Sequence, residues 1–140
     1  MKKELNFKFA ELQNLIQVLN SNNHESRLIG GCVRDALLGL DVKDIDIATT
    51  LLPEEVMSLL KKNSIMVIPT GLAHGTVTAI IDGEKFEITT LRKDLACDGR
   101  WAHVEFTDKF EEDAQRRDFT INAISYCPIR CEIFDYCNGL

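Results

Sequence analysis

Apolar positions recur along the chain with two different periods, and the switches between them lay out the elements. Leu5, Phe9, Leu12, Leu15, Ile16 and Leu19 fall at helical spacing, which predicts an amphipathic helix over about 5–20. The polar run "SNNHES" ends it. "RLIGG" reads as a short buried strand entering a turn, and "CVRDALLG" returns to helical spacing through Val33, Ala36, Leu37 and Leu40, with Gly39 near its C-terminal end. In "DIDIATT" the period drops to two: Asp44, Asp46 and Ala48 share one strand face, Ile45 and Ile47 the other. "PEEVMSLLKKN" follows as a helix, with Pro53 in its first turn, Glu54 and Glu55 at the positive end of the dipole and Lys61 and Lys62 at the negative end. "SIMVIPT" predicts a strand, and "TVTAII" and "KFEITTLR" flank Asp82-Gly83, the strongest short hairpin signal in the chain. Residues 93–106 show no clear period and are expected to form a loop. "TDKFEEDAQRRDFTINAI" turns helical, opened by Asp108 with Glu111 three residues later, and "SYCPIRCEIFDY" closes as a hairpin. Together these predict an α/β (α+β) fold, a mixed sheet backed by helices.

Composition narrows the setting. At 140 residues with 45% hydrophobic and 27% charged positions, the chain reads as one soluble globular domain rather than a disordered one. No apolar run approaches a membrane span, so no membrane association is expected. The basic start, "MKK", meets Glu4 before any apolar core of a signal peptide, and the expected location is cytoplasmic. Five cysteines make an odd set, and with no secretion signal reduced thiols are expected. The spacing in "CPIRCEIFDYC" is not that of a CxxC pair and the histidines lie far away, which favours buried thiols over a zinc site. The net charge of −6 argues against a chain that holds RNA by a broad basic surface. Any nucleic-acid grip must be local or supplied by another chain.

Candidate chemistry gathers in two places. Asp44 and Asp46 would stand about 6–7 Å apart on one strand face, where like charges repel unless a cation sits between them. Just upstream, the Gly30-Gly31 turn between strand and helix lets the backbone approach a ligand and points N–H groups at an anion. Arg34 adds a fork for phosphate oxygens. An anion cradle beside two carboxylates suits a nucleoside triphosphate with Mg²⁺, which takes one or two carboxylates plus substrate phosphates. Glu87 lies on the polar face of "KFEITTLR" and meets Asp44 and Asp46 if the apolar faces of the two strands align; an ordinary exposed glutamate is the other reading. In "RRDFTINAI", Arg117 falls among core-facing positions. It serves either a salt bridge, to Asp113 or Asp35, or a clamp on the triphosphate, with Asp118 and Asn122 able to hydrogen-bond a sugar. His74 between Gly71 and Gly75 reads as a loop residue, and Trp101 either stacks on a base or packs its loop.

The segments "LIGGCVRDALLGLDVKDIDIAT", "GTVTAIIDGEKFEITTLRKD" and "EEDAQRRDFTINAISY" resemble the head (palm) domain of the class II tRNA nucleotidyltransferase and bacterial poly(A) polymerase family, from about Leu28 to Leu140. The resemblance implies a nucleotidyltransferase-superfamily palm over 27–140, preceded by a helix and linker over 1–26. It implies transfer of NMP from ATP or CTP to an RNA 3′ end, as in tRNA CCA addition or poly(A) synthesis, by two-metal catalysis with Mg²⁺. Asp44 and Asp46 fall at the family's metal-binding positions. Gly31, Arg34 and Arg117 fall at nucleotide-contacting ones, Asp118 and Asn122 belong to the same motif as Arg117, and Glu87 lies near a third acidic position of some relatives. Family enzymes continue past "FDYCNGL" into a helical neck, body and tail that read the base and hold tRNA. The expectation is therefore a catalytic head that works with an additional helical domain or chain. Two alternatives stay open: a non-catalytic nucleotide-binding remnant, and a small stand-alone nucleotidyltransferase that modifies a partner. Members of the last class usually carry Gly-Ser in the first motif and lack "RRDFTINA".

Overall fold

The computed structural model describes residues 2–5, 7, 10–21, 23–42, 44–95, 103–117 and 123–136. In chain order the elements are α1 (Ala10–Leu19), β1 (Ser26–Ile29), α2 (Gly31–Leu37), β2 (Ile45–Thr49), α3 (Pro53–Lys62), β3 (Met66–Gly71), β4 (Thr76–Ile81), β5 (Glu84–Thr90), β6 (Arg92–Leu95), β7 (His103–Phe106), α4 (Phe110–Gln115), β8 (Ser125–Cys127) and β9 (Glu132–Phe134). Seven strands form one mixed sheet in the order β3-β4-β5-β2-β1-β8-β9. Every described pairing is antiparallel except β2 with β5, whose crossover runs through α3, β3 and β4.

The two faces of this sheet have different fates. Ile45, Ile47, Leu28, Phe86, Ile88, Val77, Ala79 and Tyr126 point to one side, where Leu12, Leu15, Ile16 and Leu19 of α1 and Val56 and Leu60 of α3 close the main core. Burial of the valine, leucine, isoleucine and phenylalanine side chains among these stabilises by roughly 1.5–3 kcal/mol each before conformational entropy is subtracted. On the other side a smaller cluster of Ile29, Ala48, Leu91 and Phe110 seats α4 over β1 and β2. Beyond it, from Asp46 to β3, the second face is open. One face is a core, and the other is half roof and half groove.

Buried Arg27 of β1 fastens the roofed half. Its guanidinium lies 3.9 Å from the Phe110 ring centroid and 3.5 Å from that of Phe134, a cation between two aromatic faces. Its charge is met by both oxygens of Glu25 at 3.0 Å, and it donates to the Tyr136 hydroxyl at 3.0 Å. Arg130 also donates to Glu25. The β8–β9 hairpin and α4 are thereby tied to one strand of the sheet.

Three departures from the expected elements have local causes. The first helix begins at Ala10, not near residue 5. Leu5 and Phe7 instead run non-helically beside the sheet: the Leu5 N–H donates to the Tyr126 hydroxyl at 3.1 Å, and the Phe7 ring meets the Tyr126 ring at 5.9 Å. Phe9 lies outside the described residues. The stretch 93–106 is not wholly a loop, because β6 and β7 pair from Arg92↔Phe106 to Leu95↔His103; Trp101 lies outside the described residues. Of the segment expected to be helical from Asp108 onward, the described helix spans Phe110–Gln115 with Lys109 rather than Asp108 at its N-cap, so Arg117 follows this helix instead of standing within it; residues 118–122 lie outside the described residues.

The β6–β7 pair docks at Gly75, which has φ +79°; a Cβ there would stand 2.7 Å from the Phe106 ring. Gly75→Ala forces a left-handed backbone on alanine and displaces that ring. We expect a loss of about 1–2 kcal/mol in urea denaturation. Faster hydrogen exchange at the Thr107 amide, which bonds the Leu91 carbonyl at 2.9 Å, should accompany it.

Candidate active site

The open half of the sheet is organised by register. Asp46 of β2 pairs with Glu87 of β5, Glu87 with Thr78 of β4, and Thr78 with Ile68 of β3. Side chains on one face of adjacent strands lie roughly 5 Å apart, so this row brings the carboxylates of Asp46 and Glu87 together. Asp44, just before β2, completes the acidic end. These three carboxylates line a groove of about 530 Å³ that continues past Lys85 and Thr78 to Thr70. The alignment of apolar faces expected for β2 and β5 is what the fold delivers.

Crowding leaves an electrostatic mark. Burial pushes the Asp46 carboxyl up to about 6, and the facing Glu87, which also hydrogen-bonds to it, and then Asp44 push the same way. Arg117 opposes them, so its guanidinium lies close enough for its field to reach Asp46. Oxygen ligands of this kind fit a hard divalent cation such as Mg²⁺. Among the described residues no group of three His, Cys, Asp or Glu is disposed to hold a metal by itself.

The glycine turn follows β1, which pairs with β2, the strand that carries Asp46. Gly30 has φ +78° and ψ −138°, a conformation that side chains oppose, and its carbonyl accepts from the N–H groups of Val33 and Arg34. The Cys32 thiol sits 3.3 Å from the Ile29 carbonyl and 3.9 Å from that of Asp46, which fixes the first turn of α2 beside β2. Burial pushes this thiol up to about 11, which disfavours the thiolate and suits a packing role. Gly31 leaves room for Arg34: a Cβ there would stand 3.2 Å from a guanidinium nitrogen of Arg34. Arg34 Nε donates to Asp35 at 3.2 Å, and its partly exposed fork overlies the turn.

Arg117 is held by Asp113, the salt bridge allowed for in the sequence. Arg117 donates through Nε and a terminal nitrogen to Asp113 Oδ2 at 3.2 and 3.0 Å. Asp113 Oδ1 accepts from Arg116 Nε at 3.1 Å and from the Arg92 backbone N–H at 2.9 Å. One buried carboxylate thus orients two guanidinium groups and anchors the start of β6. Two cations share this one anion, and Arg117 is the one whose field reaches Asp46.

Asp44, Asp46 and Glu87 are therefore brought together, with Arg117 beside them and Gly30, Gly31 and Arg34 at the adjoining turn. Asp118 and Asn122 lie outside the described residues. His74 is exposed on a short 3-10 turn over Leu72–His74, away from the named groups of the groove. Among the described cysteines, Cys32, Cys127 and Cys131 are free thiols. The sequence reading passed over Lys85, Thr70 and Thr78. The alternation Thr76, Thr78, Ile80 against Val77, Ala79 was their available signal.

Comparison with known proteins places these features. The family described as "Poly A polymerase head domain" matches residues 26–140. CCA tRNA nucleotidyltransferase 1, mitochondrial, from Homo sapiens is 45% identical over 129 residues, which cover 91% of this chain and 30% of that protein. Among solved structures, the Bacillus stearothermophilus CCA-adding enzyme in complex with CTP is 39% identical with a TM-score of 0.78, covering 94% of this chain and 30% of that one. A tRNA nucleotidyltransferase complexed with a primer tRNA and an incoming ATP analog is 29% identical with a TM-score of 0.65, covering 89% of this chain and 35% of that one. The chain spans about a third of the length of these relatives.

Proposed function

The chain belongs to the family of poly(A) polymerase head domains, and from that premise we propose that it transfers NMP from ATP or CTP to an RNA 3′-hydroxyl, in tRNA CCA addition or poly(A) synthesis. Residues 27–140 serve as the catalytic palm in this reading. The supporting relatives have been captured with CTP, and with a primer tRNA and an ATP analog. The observation that carries the reading is the row Asp46–Glu87 beside the Gly30-Gly31 turn, because repelling carboxylates next to an anion-binding turn suit a metal–triphosphate complex.

Asp44 and Asp46 would hold Mg²⁺, with Glu87 as the third carboxylate at the acidic end of the groove. An Mg²⁺ ion held there would supply a lowered pKa for the attacking hydroxyl and charge stabilisation for the departing pyrophosphate. The Gly30-Gly31 turn and Arg34 receive the triphosphate, and Arg117 neutralises charge as the α-phosphorus gains the 3′ oxygen and loses pyrophosphate. Asp118 and Asn122 are assigned to the nucleotide's sugar. The aspartates act as ligands, not as general bases. With a net charge of −6, the grip on RNA comes from an additional helical domain or chain.

The test supplies that grip in trans, as the portion of the Bacillus stearothermophilus enzyme that follows its matching head. With Mg²⁺ and labelled CTP or ATP, the paired chains should label a tRNA lacking its 3′ end, and Asp44→Ala/Asp46→Ala should not. Absence of label from the pair, where the intact enzyme labels the same RNA, would overturn the proposal.

A further inference from the structure

The outer face of α3 carries charges that the fold itself leaves unused. Val56 and Leu60 of this helix enter the main core, on the side of the sheet opposite the acidic groove. Its exposed residues Glu54, Glu55, Ser58, Lys61 and Lys62 fall on one stripe at helical spacing. The helix dipole accounts for their signs, acidic at the start and basic at the end. It does not account for their isolation. Met57, Ser58 and Leu59 stand three and four residues after the two glutamates, so neither meets a lysine on its own helix. Among the described residues none of these charges joins an ion pair, and Glu55 accepts from the Leu52 N–H alone, at 2.9 Å.

The stripe is also symmetric about its middle. Glu54 and Lys62 stand equally far from Ser58, and so do Glu55 and Lys61. We propose that α3 is the contact between two copies of this chain, packed antiparallel about a twofold axis at Ser58. In that register Glu54 of each copy meets Lys62 of the other, Glu55 meets Lys61, and the two helix dipoles oppose. The serine side chain is small, so the helix axes can approach to about 8 Å, the close end of helix packing. A cavity of about 410 Å³ borders the stripe, and Leu51 and Leu59 in its lining add apolar surface for the neighbour to cover. Because α3 backs the core face of the sheet, the two acidic grooves point outward and each stays open. One helix-on-helix contact falls short of the roughly 1,200–2,000 Å² of a stable interface, and exposed ion pairs are weak and screened by salt. The pair is therefore weak and salt-sensitive.

Sedimentation equilibrium of the whole chain tests this. In about 0.05 M salt the protein should dimerise with a dissociation constant on the order of 0.1 mM, weakened about tenfold in about 0.5 M salt. Glu54→Lys/Glu55→Lys and Lys61→Glu/Lys62→Glu should each be monomeric alone. Mixed in equal amounts, they should recover a pair, because one stripe is then wholly basic and the other wholly acidic. Ser58→Arg keeps helix propensity and sets two cations face to face on the axis, so it should also abolish the dimer. It covers the case in which a reversal against the helix dipole unfolds the chain. A wild type that stays monomeric up to about 1 mM in low salt overturns the proposal. So does a dimer that survives both reversals or Ser58→Arg, or a mixture of the two folded variants that stays monomeric. The transfer reading stands or falls separately, since none of these residues belongs to the nucleotide site.

Discussion

Asp46→Asn is expected to lower nucleotidyl transfer by about 10³-fold or more while making the magnesium-free protein more stable. The two effects share one cause. In the unfolded chain this carboxyl ionises near its ordinary value of 3.8, and in the folded chain at about 6. Between those values the folded state binds more protons than the unfolded state. Stability therefore falls as pH rises through that window, and above it the whole penalty remains. The groove admits solvent, which screens the penalty to about 1–2 kcal/mol, or about 2–6 °C in Tm for a chain of this length. Asparagine removes the charge and can donate its amide to Glu87. In EDTA at pH 8 the variant should therefore melt above the wild type, and the gap should close as pH falls below about 4. Mg²⁺ should raise the wild-type Tm and leave that of the variant nearly unchanged. A variant that melts lower at pH 8 would make Asp46 a structural partner rather than a ligand held in wait.

The acidic end of this site was legible because a strand period is short and strict. Once Ile45 and Ile47 face the core, Asp46 must face away, and Phe86 and Ile88 do the same for Glu87. Placing the two strands side by side then needs only that their apolar faces agree. The β6–β7 pair gave no such handle: "RKDL" and "HVEF" form a separate two-stranded sheet, and four residues are too few to establish a period. Arg27 was illegible for a different reason. Its partners Phe110, Phe134 and Tyr136 lie more than eighty residues away, and nothing local marks a strand arginine as buried. Asp113 shows the intermediate case, since its spacing to Arg116 and Arg117 offered the ion pairs but not the contact with Arg92.

That contact makes Asp113→Ala the most damaging single substitution to the fold that we expect near the site. Removing a buried carboxylate from its cations costs about 3–5 kcal/mol. The lower end applies here, because the side chains of Arg116 and Arg117 are 17% and 21% exposed and can turn to water. The Arg92 N–H also loses its acceptor at the start of β6, a further unfavourable burial. Urea denaturation should show a fall of about 3 kcal/mol in unfolding free energy with an unchanged m value. Asp113→Asn separates scaffold from site. Its oxygen can still accept from the Arg92 N–H, but its amide points N–H groups at a guanidinium that has only donors. The fold should lose about 1–2 kcal/mol, while Arg117, no longer held by two bonds to one oxygen, swings away from the triphosphate. With the RNA-binding chain present, KM for CTP should rise about tenfold, with a smaller change in kcat and the Mg²⁺ requirement retained. A loss of stability with KM unmoved would confine Asp113 to the scaffold, and would show that the orientation of Arg117 does not matter to the nucleotide.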